Sequence, residues 1–201
     1  PSRPDADVSA FFMEAHGYLP MCGSDTISTV TALIETGQIA AAGSQTVVRL
    51  DTPAGLIEAS ADAENGRVRA VTFVGAPAFC PLPDQRLSLP SYGSVTVDIG
   101  YGGNFYVIAD AAQFGLQLAP DNTGPATEVA RELYVAVNAA FEVEHPQLPA
   151  VRGVTHVQLF SDPGDGSGPT RVMVIMPRGL VDRSPCGTGT TAKVATLFSK
   201  G

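Results

Sequence analysis

The sequence predicts an α+β protein built from two similar halves, and three observations carry that expectation. Short apolar or alternating runs bounded by Gly, Pro and Asn outnumber the helical stretches. Two of the helical stretches directly follow a cysteine. Those two, CGSDTISTVTALIETG from Cys22 and CGTGTTAKVATLFSKG from Cys186, coincide at Cys, Gly, Ser/Thr, Thr, Val, Leu and the closing Gly.

The elements follow in order. With 201 residues, 44% of them hydrophobic, the chain can bury a core. The 21 Gly, 16 Pro and absence of Trp favour turns and short strands over long helices. DVSAFFMEAHGYLP reads as a strand, a turn at Gly17 and an approach to Cys22. A helix follows, capped by Ser24 or Asp25, with Ile27, Val30, Leu33 and Ile34 on one face and Gly37 as its stop. TVVRL, GLIEAS and RVRAVTFV form a β-meander in which Asn65-Gly66 makes a tight turn.

The Gly75–Pro90 segment holds four prolines and little periodicity. It marks the boundary between the two halves, residues 1–88 and 89–201. In the second half SVTVDIGYGGNFYVIAD gives two strands around a glycine-rich bend. ATEVARELYVAVNAAF gives an amphipathic helix with Val129, Leu133, Val137 and Phe141 on its stripe. VRGVTHVQLF and RVMVIMP are further strands joined by the loop SDPGDGSGP, and the second leads into RGLVDRSPCGTGT.

A net charge of -8 with 12 unclustered Lys+Arg argues against nucleic acid as a partner. No run of 18 apolar residues predicts a membrane span, and the first residues have no signal-peptide pattern. Cys22, Cys80 and Cys186 are an odd number without a C-x-x-C pair, so neither a disulfide framework nor a metal site is expected. Free thiols fit a reducing, cytoplasmic compartment.

Each repeated cysteine immediately precedes a helix start, where free N–H groups and the positive end of the helix dipole favour an anion. That position can lower a thiol pKa from about 8.5 toward neutrality and can hold a substrate carboxylate. Two such loops suit inversion at a carbon next to a carboxylate. One thiolate removes the α-proton from one face, and the other thiol returns a proton to the opposite face.

At MCGSDTI (21–27), GYGGNFYVIAD (100–110) and above all DRSPCGTGTTA (182–192) the chain resembles the proline racemase family. Family members are longer at both ends. The resemblance implies two pseudo-symmetric halves, each a curled, mostly antiparallel sheet around a central helix, as in diaminopimelate epimerase, with the site in the cleft between them. It also implies a cofactor-independent mechanism with Cys22 and Cys186 as the thiol pair, acting on a small amino acid, in a possible homodimer.

By the same resemblance, Gly23, Ser24, Gly187 and Thr188 offer amides to the carboxylate, and Asp182 contacts the substrate nitrogen. The positive charge kept on that nitrogen stabilises the developing carbanion. Where Ser24 stands, the family commonly has histidine; either Asp25 takes over that contact or the substrate preference differs. The implied activity is 4-hydroxyproline 2-epimerase. The alternatives are proline racemase, 3-hydroxyproline dehydratase, against which Cys186 argues because that branch usually has threonine there, and a catalytically silent binding homologue.

The remaining candidates read as structural. Cys80 is a small core residue. His16, His145 and His156 have no triad spacing. GYGG and GDGSG lack the Lys-Ser/Thr of a phosphate loop. Asp98 and Asp110 are turn residues at strand ends, while the glycine-rich bend brings Tyr101 and Phe105 near the cleft.

Overall fold

The computed structural model describes residues 1–14, 17–163 and 167–201. His16 and the 164–166 part of the loop SDPGDGSGP lie outside the described residues. The fold is α+β and divides into two compact units, Pro1–Pro77 and Ala78–Gly201.

The first unit contains β1 (Val8–Ser9), β2 (Phe12–Glu14), β3 (Gly17–Leu19), α1 (Gly23–Glu35), β4 (Gln45–Thr52), β5 (Gly55–Glu64) and β6 (Arg67–Phe73). Its main sheet runs β1-β4-β5-β6, antiparallel except where β1 meets β4, and β2 and β3 form a separate hairpin. The run read as one strand before Cys22 is thus three short ones. Alternation puts Thr46, Val48, Leu50 and Thr52 of β4 inward. Asn65 and Gly66, with φ of 52° and 75°, make the mirror-image turn that matches the twist of β5 and β6.

Helix α1 packs on β5 and β6 through Thr26, Val30 and Ile34, an i, i+4 series. Ile27, expected on that face, is 42% exposed, because Thr26 occupies the inward position. At its far end Glu35 accepts from the backbone N–H of Val68 (2.9 Å) and from Arg67 Nη1 (3.1 Å), fastening the helix to the start of β6.

The second unit contains β7 (Phe79–Leu89), β8 (Gly93–Tyr101), β9 (Phe105–Asp110), α2 (Thr123–Ala140), β10 (Glu144–His145), β11 (Leu148–Arg152), β12 (His156–Ser161), β13 (Arg171–Ile175) and α3 (Gly187–Lys200). The five-stranded sheet has the order β13-β12-β9-β8-β7 and is antiparallel except for β12 with β9; β10 and β11 pair separately. Every residue from Val97 to Tyr101 and from Phe105 to Ala109 is buried, so the middle of this sheet is covered on both faces. Helix α2 packs on β7, β9 and β12 through Val129, Leu133 and Val137, whereas Phe141 lies beyond its last turn. Helix α3 packs on β7, β8 and β9.

The expected division at 88/89 falls inside β7; the units divide between Pro77 and Ala78. The proline-rich segment is a strand because it lies at the sheet edge. There a missing N–H costs no ladder bond, and its register shifts between Phe79, Leu82 and Gln85 accommodate Pro81 and Pro83. Asp98 also departs from its reading as a turn residue. It is mid-strand and 8% exposed, accepts from the N–H of Asp84, and lies 2.6 Å from Lys200 Nζ at the end of α3. Asp110 does sit at a strand end, accepting from Ala112 N–H. Among the described residues no helix is long and apolar enough to cross a membrane.

Candidate active site

Cys22 is the N-cap of α1, in extended conformation. The helical ladder begins when Thr26 donates its N–H to the Cys22 carbonyl (3.0 Å), and the Thr26 hydroxyl donates to the same oxygen (2.8 Å). The N–H groups of Gly23, Ser24 and Asp25 therefore precede the ladder at the helix start. Neither Ser24 nor Asp25 is the cap; both occupy the first turn, with exposed side chains. Burial raises the Cys22 thiol pKa. The backbone N–H groups of Asp25 and Ser24 pull it down and the Asp25 carboxylate pushes it up, leaving it above its ordinary value.

Cys186 is the N-cap of α3, but in the left-handed region, at φ 49° and ψ 74°. The loop that delivers it is a hydrogen-bonded relay. The N–H of Cys186 donates to Ser184 Oγ (3.0 Å), that hydroxyl donates to Asp182 Oδ2 (3.0 Å), and the N–H of Ser184 donates to Asp182 Oδ1 (2.7 Å). The backbone N–H of Asp182 is itself fixed on the Val174 carbonyl of β13 (2.9 Å). As in α1, the ladder begins four residues after the cysteine, with Thr190 N–H on the Cys186 carbonyl (2.8 Å).

Burial raises the Cys186 thiol as well, against the lowering effects of Tyr106 and of the Gly189 N–H, and the negative charge of Asp182 adds to the rise. The lowered thiols expected from the helix start are thus not what the structure contains. The helix amides do reach each sulfur, but desolvation outweighs them. Tyr106 Oη lies 3.4 Å from Cys186 Sγ and 2.7 Å from Thr188 Oγ1. His156 stacks on the Tyr106 ring with centroids 5.0 Å apart, and burial pushes its pKa down to about 4.

The glycine-rich bend positions α3. A Cβ at Gly100 would stand 2.9 Å from the Ala192 carbonyl, and one at Gly102 would be 2.6 Å from the Ala192 nitrogen, so strand and helix backbones meet directly. The residues of α3 that meet these two glycines are small or short, Thr188, Thr191, Ala192 and Thr196. Val194 and Leu197, which align with Val30 and Leu33 of the first repeat, point outward with Phe198. Tyr101 and Phe105 are core residues in an aromatic cluster with Phe79 and His145.

Cys22, Gly23, Ser24 and Asp25 thus share one helix start in the first unit. Asp182, Cys186, Gly187 and Thr188 share one loop and helix start in the second. Sequence reasoning missed Tyr106 and Ser184 as partners of Cys186. Both lie inside the quoted motifs, but neither residue type carries a spacing signal for contact with a thiol. Among the described residues no group of three or more His, Cys, Asp or Glu could hold a metal ion.

Known proteins align with the whole of this chain. The proline racemase family profile matches residues 1–201. A proline racemase from Clostridioides difficile is 41% identical over all of this chain and 60% of its own length. A 4-hydroxyproline 2-epimerase from Streptosporangium roseum is 40% identical, with the same coverage. The crystal structure of a hydroxyproline epimerase from Agrobacterium vitis with bound trans-4-OH-L-proline superposes with a TM-score of 0.92 at 35% identity, over 100% of this chain and 57% of that one. The chain therefore spans about 60% of the length of the relatives it matches. The match over every residue, with the two cysteine-led helices inside it, establishes that this chain belongs to the proline racemase family.

Proposed function

We propose that the protein inverts the α-carbon of 4-hydroxyproline without a cofactor, as a 4-hydroxyproline 2-epimerase, with proline as the alternative substrate. The observation that carries this reading is the placement of Cys22 and Cys186, each as the N-cap of a helix whose first N–H groups lie beside the sulfur. The names of the relatives support both substrates.

In this mechanism one cysteine, as thiolate, takes the α-proton, and the other, as thiol, delivers a proton to the opposite face. The N–H groups of Gly23, Ser24, Gly187 and Thr188 hold the carboxylate and stabilise the charge that spreads onto it as the carbanion forms. The Asp182 carboxylate accepts two hydrogen bonds from Ser184, and its remaining lone pairs take the substrate ammonium. Because burial keeps both thiols protonated in the resting protein, the active form is the one in which a single proton has left the pair.

The test is exchange of the α-proton in D2O over proline and the hydroxyproline isomers. Exchange and inversion of 4-hydroxyproline are expected, with a loss of about 10²- to 10⁴-fold in Cys22→Ser and in Cys186→Ser. Full activity in Cys186→Ser would overturn the two-thiol mechanism. Binding of pyrrole-2-carboxylate without turnover would favour the silent homologue, a reading that Ser24 supports.

A further inference from the structure

We propose that Tyr106 is the positioning residue of the Cys186 thiol, its phenol and the Thr188 hydroxyl forming a short hydrogen-bond chain that reverses direction with the protonation of sulfur. The inference rests on the functional reading above only in taking Cys186 as an acid and base. Three observations carry it.

The first is geometric. The phenol oxygen lies between the Cys186 sulfur (3.4 Å) and the Thr188 hydroxyl (2.7 Å), fully buried on β9. The second is how closely the surroundings fix it. Tyr106 pairs with His156 across β9 and β12, and the His156 ring lies over its face at 25°. A Cβ at Gly189 would stand 2.9 Å from Cys186 Sγ and 3.1 Å from Tyr106 Cε1, so only glycine at that helix position lets phenol and sulfur meet. The third is Gln158, 1% exposed, whose Oε1 would be 3.3 Å from the same Cβ and neither of whose amide atoms has a hydrogen-bond partner among the described residues. The sulfur, packed with Ile108, Val174 and Ala192, thus has one unpartnered buried polar side chain close by.

Each hydroxyl carries one proton and can accept two bonds. When Cys186 is a thiolate, Thr188 donates to Tyr106 and Tyr106 donates to sulfur. When Cys186 is a thiol, S–H donates to Tyr106 and Tyr106 donates to Thr188. No proton changes owner; the two hydroxyl rotors turn. Burial drives the phenol pKa well above its ordinary value, which keeps Tyr106 neutral and able to serve both directions. A donor aimed at a buried thiolate offsets part of its desolvation, and an acceptor aimed at the thiol keeps the same sulfur position. The titratable groups around this sulfur are Tyr106, Asp182 and His156. The Asp182 charge opposes the thiolate, and His156 is neutral near pH 7.

The test uses the protein with Cys22→Ser and Cys80→Ser, so that only Cys186 reacts, and follows iodoacetamide alkylation by mass spectrometry as a function of pH. Tyr106→Phe is expected to move the midpoint to higher pH and to slow alkylation at pH 8 by about three- to tenfold. Thr188→Val should shift it the same way, by less. The midpoint separates loss of a donor from altered access, which changes only the plateau rate. An unshifted midpoint in Tyr106→Phe overturns the proposal. If that variant does not fold, an unshifted midpoint in Thr188→Val does so. Because alkylation needs no substrate, a shifted midpoint here together with no α-proton exchange in the protein that keeps all three cysteines would sink the function and leave this role standing.

Discussion

Gly102 lies against the first turn of α3 so closely that a methyl group there would overlap the Thr188 carbonyl and stand 2.6 Å from the Ala192 nitrogen. The atoms in the way are backbone, so they cannot yield by changing rotamer. Gly102→Ala is accordingly expected to destabilise the second unit by about 3 kcal/mol or more, read by urea denaturation. Gly187→Ala, where a Cβ meets open space, should leave stability unchanged or raise it by about 0.5 kcal/mol. Equal effects from the two substitutions would contradict the backbone contact.

His156 makes the fold acid-sensitive. Burial lowers its pKa from 6.5 to about 4, against the raising effect of Asp182. Between those values the unfolded chain binds a proton that the folded protein does not. Its contribution is therefore complete above pH 6.5 and falls as pH drops toward about 4, by roughly 3 kcal/mol in all. Urea midpoints measured from pH 7 to 5 should fall less steeply in His156→Gln than in the unchanged protein. Parallel slopes would refute the assignment.

Ser184 joins the Asp182 carboxylate to the Cys186 backbone, and its hydroxyl is the middle member of that relay. Ser184→Ala should lower turnover by about tenfold, because the cysteine is then held by its helix alone. Ser184→Thr, which keeps the oxygen, should recover most of the rate. A Ser184→Ala protein as active as the unchanged one would show that the relay does not set the geometry.

Asp25 acts on Cys22 in two opposed ways, its N–H favouring the thiolate and its carboxylate opposing it. Asp25→Asn keeps the first and removes the second. In a protein whose other two cysteines are serine, alkylation of Cys22 at pH 8 should become faster and its midpoint should move to lower pH. A midpoint that rises would mean the side chain holds the loop rather than charging it.

The helix starts were legible because the Cys-Gly entry and the glycine stop are local features, although Ser24 and Asp25 fall in the first turn of α1 rather than at its cap. Cys22 and Cys186 each precede their helix, and Asn65-Gly66 turns as its chemistry dictates. What sequence missed depended on neighbours from distant strands. Val194 and Leu197 repeat the pattern of Val30 and Leu33, yet their helix packs by its small face, because Gly100 and Gly102 on β8 and the bend after it bring the backbone so near. The thiol pKa direction was misjudged for a related reason. A helix start predicts donors, whereas the extent of burial around Cys22 and Cys186 is a tertiary quantity. Tyr106 reaches its partners across eighty residues of chain, beyond any periodic signal.

The prolines of β7 bear on how this sheet behaves in company. An intruding strand that tried to extend the sheet past β7 would find no amide proton at Pro81 or Pro83 and a shifted register around Leu82. Its ladder would break after a residue or two. The open edge is thus poorly templated for fibril growth or strand exchange between molecules, and this tendency travels with the sequence even while the chain is refolding.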